Sequence, residues 1–194
     1  MQEILDVAVQ VMAEEGVGGL SMSEVARRMD MRPPSLYQYF PSRLAIYDAL
    51  FERGMRQVVE VMEQYLGGLA DDPLRTISAA QDATLSWVMA NSVLAQLMHW
   101  RPVPGFVPSA EAFAPALRQL EVLRNALQAA VDAGQLTPAA ASDDGVALYT
   151  VLMSGVISQQ LSNEPAAPGG QGRFIKLSPA ALEMYFRYYT PDGG

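Results

Sequence analysis

The chain has 194 residues, half of them hydrophobic, with a net charge of −8, one histidine and no cysteine. That length and apolar content suffice for one good core or two small ones, and the lack of cysteine excludes disulfides and thiolate-bound metal. The longest nearly apolar run, 145–157, is shorter than the roughly 20 residues a membrane helix needs, and Met1 leads into an amphipathic pattern without the marks of a signal peptide, so a soluble, cytoplasmic protein with no membrane partner is expected.

Ile4, Leu5, Ala8, Val11 and Met12 recur at helical spacing and predict a helix over 2–15, ended by Gly16. Ser21 and Glu24 have capping-box spacing, in which hydroxyl and carboxylate satisfy the free amides of a helix start, so a helix is expected over 22–29 with Val25, Ala26 and Met29 on its apolar side. Asp30 and Met31 interrupt the pattern. Pro33 and Pro34 fit only at or just inside the next helix start, where missing amide hydrogens cost little, which places a short helix over about 34–39. Two short helices joined by a tight turn form a helix-turn-helix, whose second member can enter the major groove of DNA. Arg32, Ser35, Tyr37, Gln38 and Tyr39 are its polar groups, while Leu36 and Phe40 face inward; Arg43 follows a Ser42 cap, within reach of a phosphate. The core of this three-helix unit should include Ile4, Ala8, Val11, Leu20, Val25, Ala26, Leu36, Phe40, Ile46 and Leu50.

Helical patterning continues over 43–66 and stops at Gly67-Gly68. Asp72-Pro73 opens a helix over 73–90, with Asp71-Asp72 read as a helix start, and a shorter one follows over 92–100. Three prolines and Gly105 make 101–108 an irregular loop or lid. Ser109 caps the next helix unless Pro115 marks its true start; Leu117, Leu120, Leu123, Leu127 and Val131 then form one face, ended by Gly134. Thr137-Pro138 is another helix start. The stretch 143–161, begun by Asp143-Asp144, is apolar on nearly every side, and such a helix must be covered all round. The segment 163–172 reads as a flexible loop. Ser178-Pro179 starts the last helix, where four aromatics fall within five residues, more than one side of a terminal helix buries. Aromatics are enriched at interfaces, so a homodimer through the last two long helices is expected, with Val151, Ile157, Leu182, Tyr185, Phe186 and Tyr189 in its interface. No repeat or strand pattern is visible.

Gly16, Ser21, Val25-Ala26, Ser35-Leu36-Tyr37, Tyr39-Phe40-Pro41-Ser42-Arg43 and Ile46 together resemble, in identity, order and spacing, the DNA-binding domain of TetR-family bacterial regulators. The resemblance covers about the first fifty residues. Asp30 stands where the family usually has glycine, and the double proline where a small or basic residue is more usual. An all-α fold is implied, with a helix-turn-helix domain over 1–50 and a helical effector-binding and dimerisation domain over 51–194. In the family, positions matching Tyr37, Tyr39 and Arg43 mostly hold phosphates, and those matching Arg32, Pro34, Ser35 and Gln38 face bases. Arg32 suits guanine and Gln38 adenine on hydrogen-bonding geometry. The resembled fold also encloses a small-molecule pocket, toward which Trp87, Met89, Met98, His99, Trp100, Phe106, Phe113, Tyr149 and Met153 would fall.

Charge argues the other way, because an acidic protein is repelled by a polyanion. Residues 1–54 hold five positive against eight negative side chains, a net −3. Arg27, Arg28, Arg32 and Arg43, however, cluster around the reading helix and imply a local positive face. Nothing resembles a catalytic triad, phosphate loop or paired-carboxylate site, and His99 lacks the companions a metal needs; no enzyme, cofactor or metal is expected. The expected function is a dimeric transcription regulator that binds double-stranded operator DNA, a repressor released by a small apolar or amphipathic effector, with the helix over 43–66 as the lever between sites. Two alternatives stand beside it: a regulator with no small-molecule effector, and a helical ligand-binding or enzymatic protein that has lost DNA binding.

Overall fold

The computed structural model describes residues 1–66, 72–167 and 172–191. Among these the helices are α1 (Gln2–Glu15), α2 (Met22–Arg28), α3 (Pro33–Tyr37), α4 (Arg43–Leu66), α5 (Pro73–Ala90), α6 (Ser92–Trp100), α7 (Ala110–Asp132), α8 (Asp143–Asn163) and α9 (Ser178–Tyr189). Short 3-10 turns occupy Val17–Gly19, Pro138–Ala141 and Ile175–Leu177, and the described residues form no strand. The fold is all-α. The predicted stop at Gly67-Gly68, Asp71 of the expected helix start, and 168–171 of the predicted loop lie outside the described residues. The chain divides into two compact units, Met1–Arg56 with Asn91–Pro115, and Gln57–Ala90 with Ala116–Gly194.

In the first unit all ten expected core residues are buried, none more than 5% exposed. Tyr47 and Phe51 add the largest fully buried rings, and each such burial contributes roughly 1.5–3 kcal/mol. Tyr47 also donates its hydroxyl to the Val17 carbonyl (2.6 Å), which ties α4 to the turn after α1. Helix α6 packs on α1 and on that turn. The loop after α6 is irregular, as its prolines predict, but it is no free flap: Val103 and Phe106 are buried, and the Phe106 ring lies 5.8 Å from Tyr47 and 6.3 Å from Phe51.

The helix ends show where local chemistry departed from expectation. The capping box at α2 does not form: Ser21 makes no side-chain bond to a backbone amide, its hydroxyl lies 3.3 Å from Ser23 Oγ, and Glu24 is taken by Arg27 and Arg28. Charge-assisted bonds to guanidinium outcompete a neutral amide for the same carboxylate. At its other end, the Met31 amide donates to the Ala26 carbonyl and Asp30 to that of Arg27, a Schellman closure that needs a left-handed residue at Asp30, where φ is 51°. Helix α7 closes identically with Gly134 at φ 71°. Asp30 thus performs at α2 what glycine does at α7. Ser42, Asp72, Ser109 and Ser142 do cap their helices, each accepting a bond from a first-turn amide.

In the second unit, α5 buries Ile77, Ala80, Leu85 and Val88. Helix α7 runs through Pro115 rather than starting there. Its expected leucine face is only half right: Leu123 and Leu127 are buried, but Leu117 and Leu120 are 54% and 39% exposed. Ala116, Val122, Ala126 and Ala130 complete the buried side with Leu123 and Leu127. Helix α8 packs on α9 and on the two nearby 3-10 turns. At its start, a Cβ on Gly145 would lie 2.3 Å from the Ala140 carbonyl oxygen, so only glycine fits. Tyr185 donates to the carbonyls of Ala140 (3.0 Å) and Gly145 (3.2 Å), locking α9 over that junction.

Candidate DNA-binding surface and effector site

Helix α3 is held by one side and offers the other. Leu36 and Phe40 are buried, whereas Arg32, Pro33, Pro34, Gln38 and Arg43 are exposed, Tyr37 and Tyr39 are each 50% exposed, and Ser35 is half-buried. The helix begins one residue earlier than expected and ends at Tyr37, because both prolines enter its first turn; Tyr39 lies in the following turn, where its amide donates to the Leu36 carbonyl. The seven residues expected to meet DNA therefore lie on one short stretch. All but Ser35 are open to solvent.

The positive face is narrower than its arginine count implied. Arg27 grips Glu24 through Nε (2.9 Å) and Nη2 (2.7 Å), and Arg28 bridges Glu24 and Glu14 at 2.7 Å each. These two guanidiniums, Arg27 first, hold the Glu24 carboxyl down to about 2. Their charge is already compensated. Arg32 and Arg43 are exposed and form no ion pair among the described residues, so they carry the uncompensated positive potential of this surface.

The residues expected to line an effector pocket divide between the units. Met98, His99, Trp100, Phe106 and Phe113 belong to the first; Trp87, Met89, Tyr149 and Met153 belong to the second. In the first unit several serve as supports for α4. A Cβ on Gly54 would lie 2.5 Å from the Met98 sulfur, and Phe113 stacks on Phe51 (6.2 Å) with the Arg101 guanidinium 5.7 Å from both rings. His99 is half-buried, and burial pushes its imidazole pKa down. Trp100 is 37% exposed. An open groove of about 280 Å³ lies in this unit, lined by Leu44, Ala45, Asp48, Gly105, Phe106, Val107 and Ser109, and it shares only Phe106 with the expected set. On it, Asp48 accepts bonds from the Ser109 amide and hydroxyl, both at 2.7 Å, clamping α4 to the start of α7.

In the second unit, Trp87 is half-buried, while Met89, Tyr149 and Met153 are buried. Tyr149 sets its ring edge-on to Tyr185 (5.4 Å) and donates its hydroxyl to Gln81 Oε1 (2.9 Å). Gln81 was not among the expected residues. Its signal was available: it interrupts the apolar helical stripe Ile77, Ala80, Leu85 and Val88 with an amide. Among the described residues, no group of histidines and acids is placed to hold a metal.

The residues expected at a dimer interface behave unequally. Ile157, Leu182, Tyr185 and Tyr189 are at most 8% exposed and Phe186 is half-buried, because they fill the packing of α8 and α9 within one chain. Val151, by contrast, is 66% exposed. The same two helices also leave open Met184 (67%) and Tyr188 (73%), with Gly155 exposed one turn beyond Val151.

Residues 4–50 match the family described as bacterial regulatory proteins, tetR family. Over 59 residues, 30% of this chain, it is 36% identical to the uncharacterized HTH-type transcriptional regulator YobS of Bacillus subtilis. Over 90 residues, 46% of this chain, it is 30% identical to the transcriptional activator FasR of Mycolicibacterium smegmatis. These matches span only 31% and 41% of the two relatives. The fold extends further: the regulator FadR of Bacillus subtilis, solved with stearoyl-CoA, superposes with a TM-score of 0.70 at 20% identity, covering 95% of this chain and 97% of that one. Among the described residues no helix is long and apolar enough to cross a membrane. Residues 4–50 thus match the TetR-family model, and the all-helical fold of the whole chain is shared with solved structures described as TetR-family regulators.

Proposed function

We propose that this chain is a cytoplasmic, homodimeric transcription regulator, a repressor that binds double-stranded operator DNA and leaves it when a small apolar or amphipathic molecule binds. It works by binding and not by catalysis. Residues 1–50 act as the reader and 51–194 as the effector-binding and dimerisation part. The observation that carries the reading is the pair Arg32 and Arg43, exposed and free of ion pairs, flanking exposed Pro34, Tyr37, Gln38 and Tyr39 on a helix anchored by buried Leu36 and Phe40. Arg43, Tyr37 and Tyr39 hold phosphates; Arg32, Pro34, Ser35 and Gln38 face bases.

A two-fold dimer presents two such helices to successive major grooves about 34–36 Å apart. The uncovered surface of α8 and α9, with Val151, Met184 and Tyr188, supports self-association through those helices. Release follows from linkage: a ligand that binds better when the two readers are wrongly spaced draws the dimer off DNA by its differential affinity. Helix α4 starts at Arg43 in the first unit and ends in the second, which makes it the lever. FadR was solved with stearoyl-CoA and SmeT, of the same fold, with triclosan, which supports small-molecule binding by this fold.

The test is selection of DNA from a fragmented source genome, followed by anisotropy titration of the enriched site against salt. A site-specific complex is expected, with log K falling by about 0.9 per phosphate neutralised in log salt, and Arg43→Ala shallower by about one such step. If no sequence is enriched, the regulator reading is lost. Placing the site upstream of a reporter separates repression from the activation that FasR's name records.

A further inference from the structure

Among the described residues of the second unit, the buried polar side chains are Gln81, Thr84, Gln160 and Ser178, all uncharged. Gln160 is fully used: its Oε1 accepts from the Phe174 and Ile175 amides, and its Nε2 donates to the Glu164 carbonyl. Thr84 donates to the Ala80 carbonyl. Gln81 is different. Its Oε1 is occupied by the Tyr149 hydroxyl, but its Nε2, on a side chain only 6% exposed, has no hydrogen-bond partner among the described residues. Exchanging the two ends of the amide would leave both Oε1 and the Tyr149 proton unbonded, so the leftover group is the N–H pair.

A buried donor without an acceptor destabilises a fold, a cost that stands until something supplies the acceptor. We infer that the Gln81 amide, beside Tyr149 where α5 meets α8, is the polar anchor for the effector, and that this effector is an apolar molecule with one uncharged hydrogen-bond acceptor, such as a ketone or an ester. The inference rests on the ligand-released reading above. Charge decides the class. Among the described residues of this unit, no arginine is buried and Lys176 is exposed. A carboxylate held there by one neutral amide would keep most of its desolvation penalty. Asp82, the neighbour of Gln81, adds negative potential at Tyr149. A carbonyl oxygen accepts from Nε2 with little hydration to lose. Met153, one turn beyond Tyr149 on α8, is the pliable side chain that can reshape to admit such a molecule.

The probes are 2-octanone, octanoate and octane, titrated by calorimetry into the full-length protein and into Gln81→Met and Gln81→Leu. The wild type should prefer 2-octanone to octanoate. Both variants should bind 2-octanone about tenfold more weakly, the loss of one hydrogen bond, with octane within about twofold and the fold retained by circular dichroism. Octanoate binding more tightly than 2-octanone, no binding of 2-octanone, or an unchanged 2-octanone affinity in a folded variant would each overturn the inference. Operator binding without ligand is measured on the same samples. Its loss in the wild type would sink the regulator reading alone, since the calorimetric comparison does not depend on DNA.

Discussion

Glu24 shows how one carboxylate sets both the stability and the charge of the reader. Held to about 2 by Arg27 and Arg28, it lies below its ordinary value of 4.5, so its contribution is fully present above pH 4.5 and is lost as pH falls toward 2. Thermal melts of Glu24→Gln should therefore fall below wild type at pH 6 and converge with it near pH 2; a gap that persists at pH 2 would mean the carboxylate acts through packing. Tyr47 tests a different bond. Removing its hydroxyl leaves the Val17 carbonyl without that donor, so Tyr47→Phe should cost about 1 kcal/mol in denaturant unfolding.

Among elements, the helices were legible wherever apolar spacing and a terminator agreed. α1, α5 and α6 have the expected limits and α4 the expected start, because glycine, proline and capping residues act over a few bonds. The α2 cap was not legible, since Glu24 had two arginines competing for it, and the choice between a backbone amide and a guanidinium is made in three dimensions. Nor was the face of α7: Leu117 and Leu120 are exposed while Ala116, Ala126 and Ala130 are buried, and only packing reveals which side meets a neighbour. Two substitutions test the element ends. Asp30→Gly should stabilise by about 0.5–1 kcal/mol, the left-handed strain relieved less the entropy of glycine. Gly145→Ala should destabilise by about 1–3 kcal/mol, because the Ala139 and Ala140 carbonyls must move.

For the whole molecule, the helix-turn-helix was legible as a string of residues, but its electrostatics and the exposed faces of α8 and α9 were not. Aromatic density in α9 pointed to an interface, yet Tyr185 and Tyr189 are buried inside one chain; of the expected set Val151 stays exposed, and Met184 and Tyr188, outside that set, are exposed too. Val151→Glu should shift sedimentation from dimer to monomer at micromolar concentration and abolish tight operator binding while leaving the helical content intact; a dimer that survives would place the interface elsewhere. The neutralised arginines of α2 have a consequence for the cell. A chromosome is a vast reservoir of decoy sites, and proteins adhere to it in proportion to the counterions they displace. On the proposed function, a regulator with Arg27 and Arg28 already spoken for loiters little on random sequence. A larger share of such a regulator's copies would diffuse free, so few molecules would suffice to fill the proposed operator and few effector molecules to empty it.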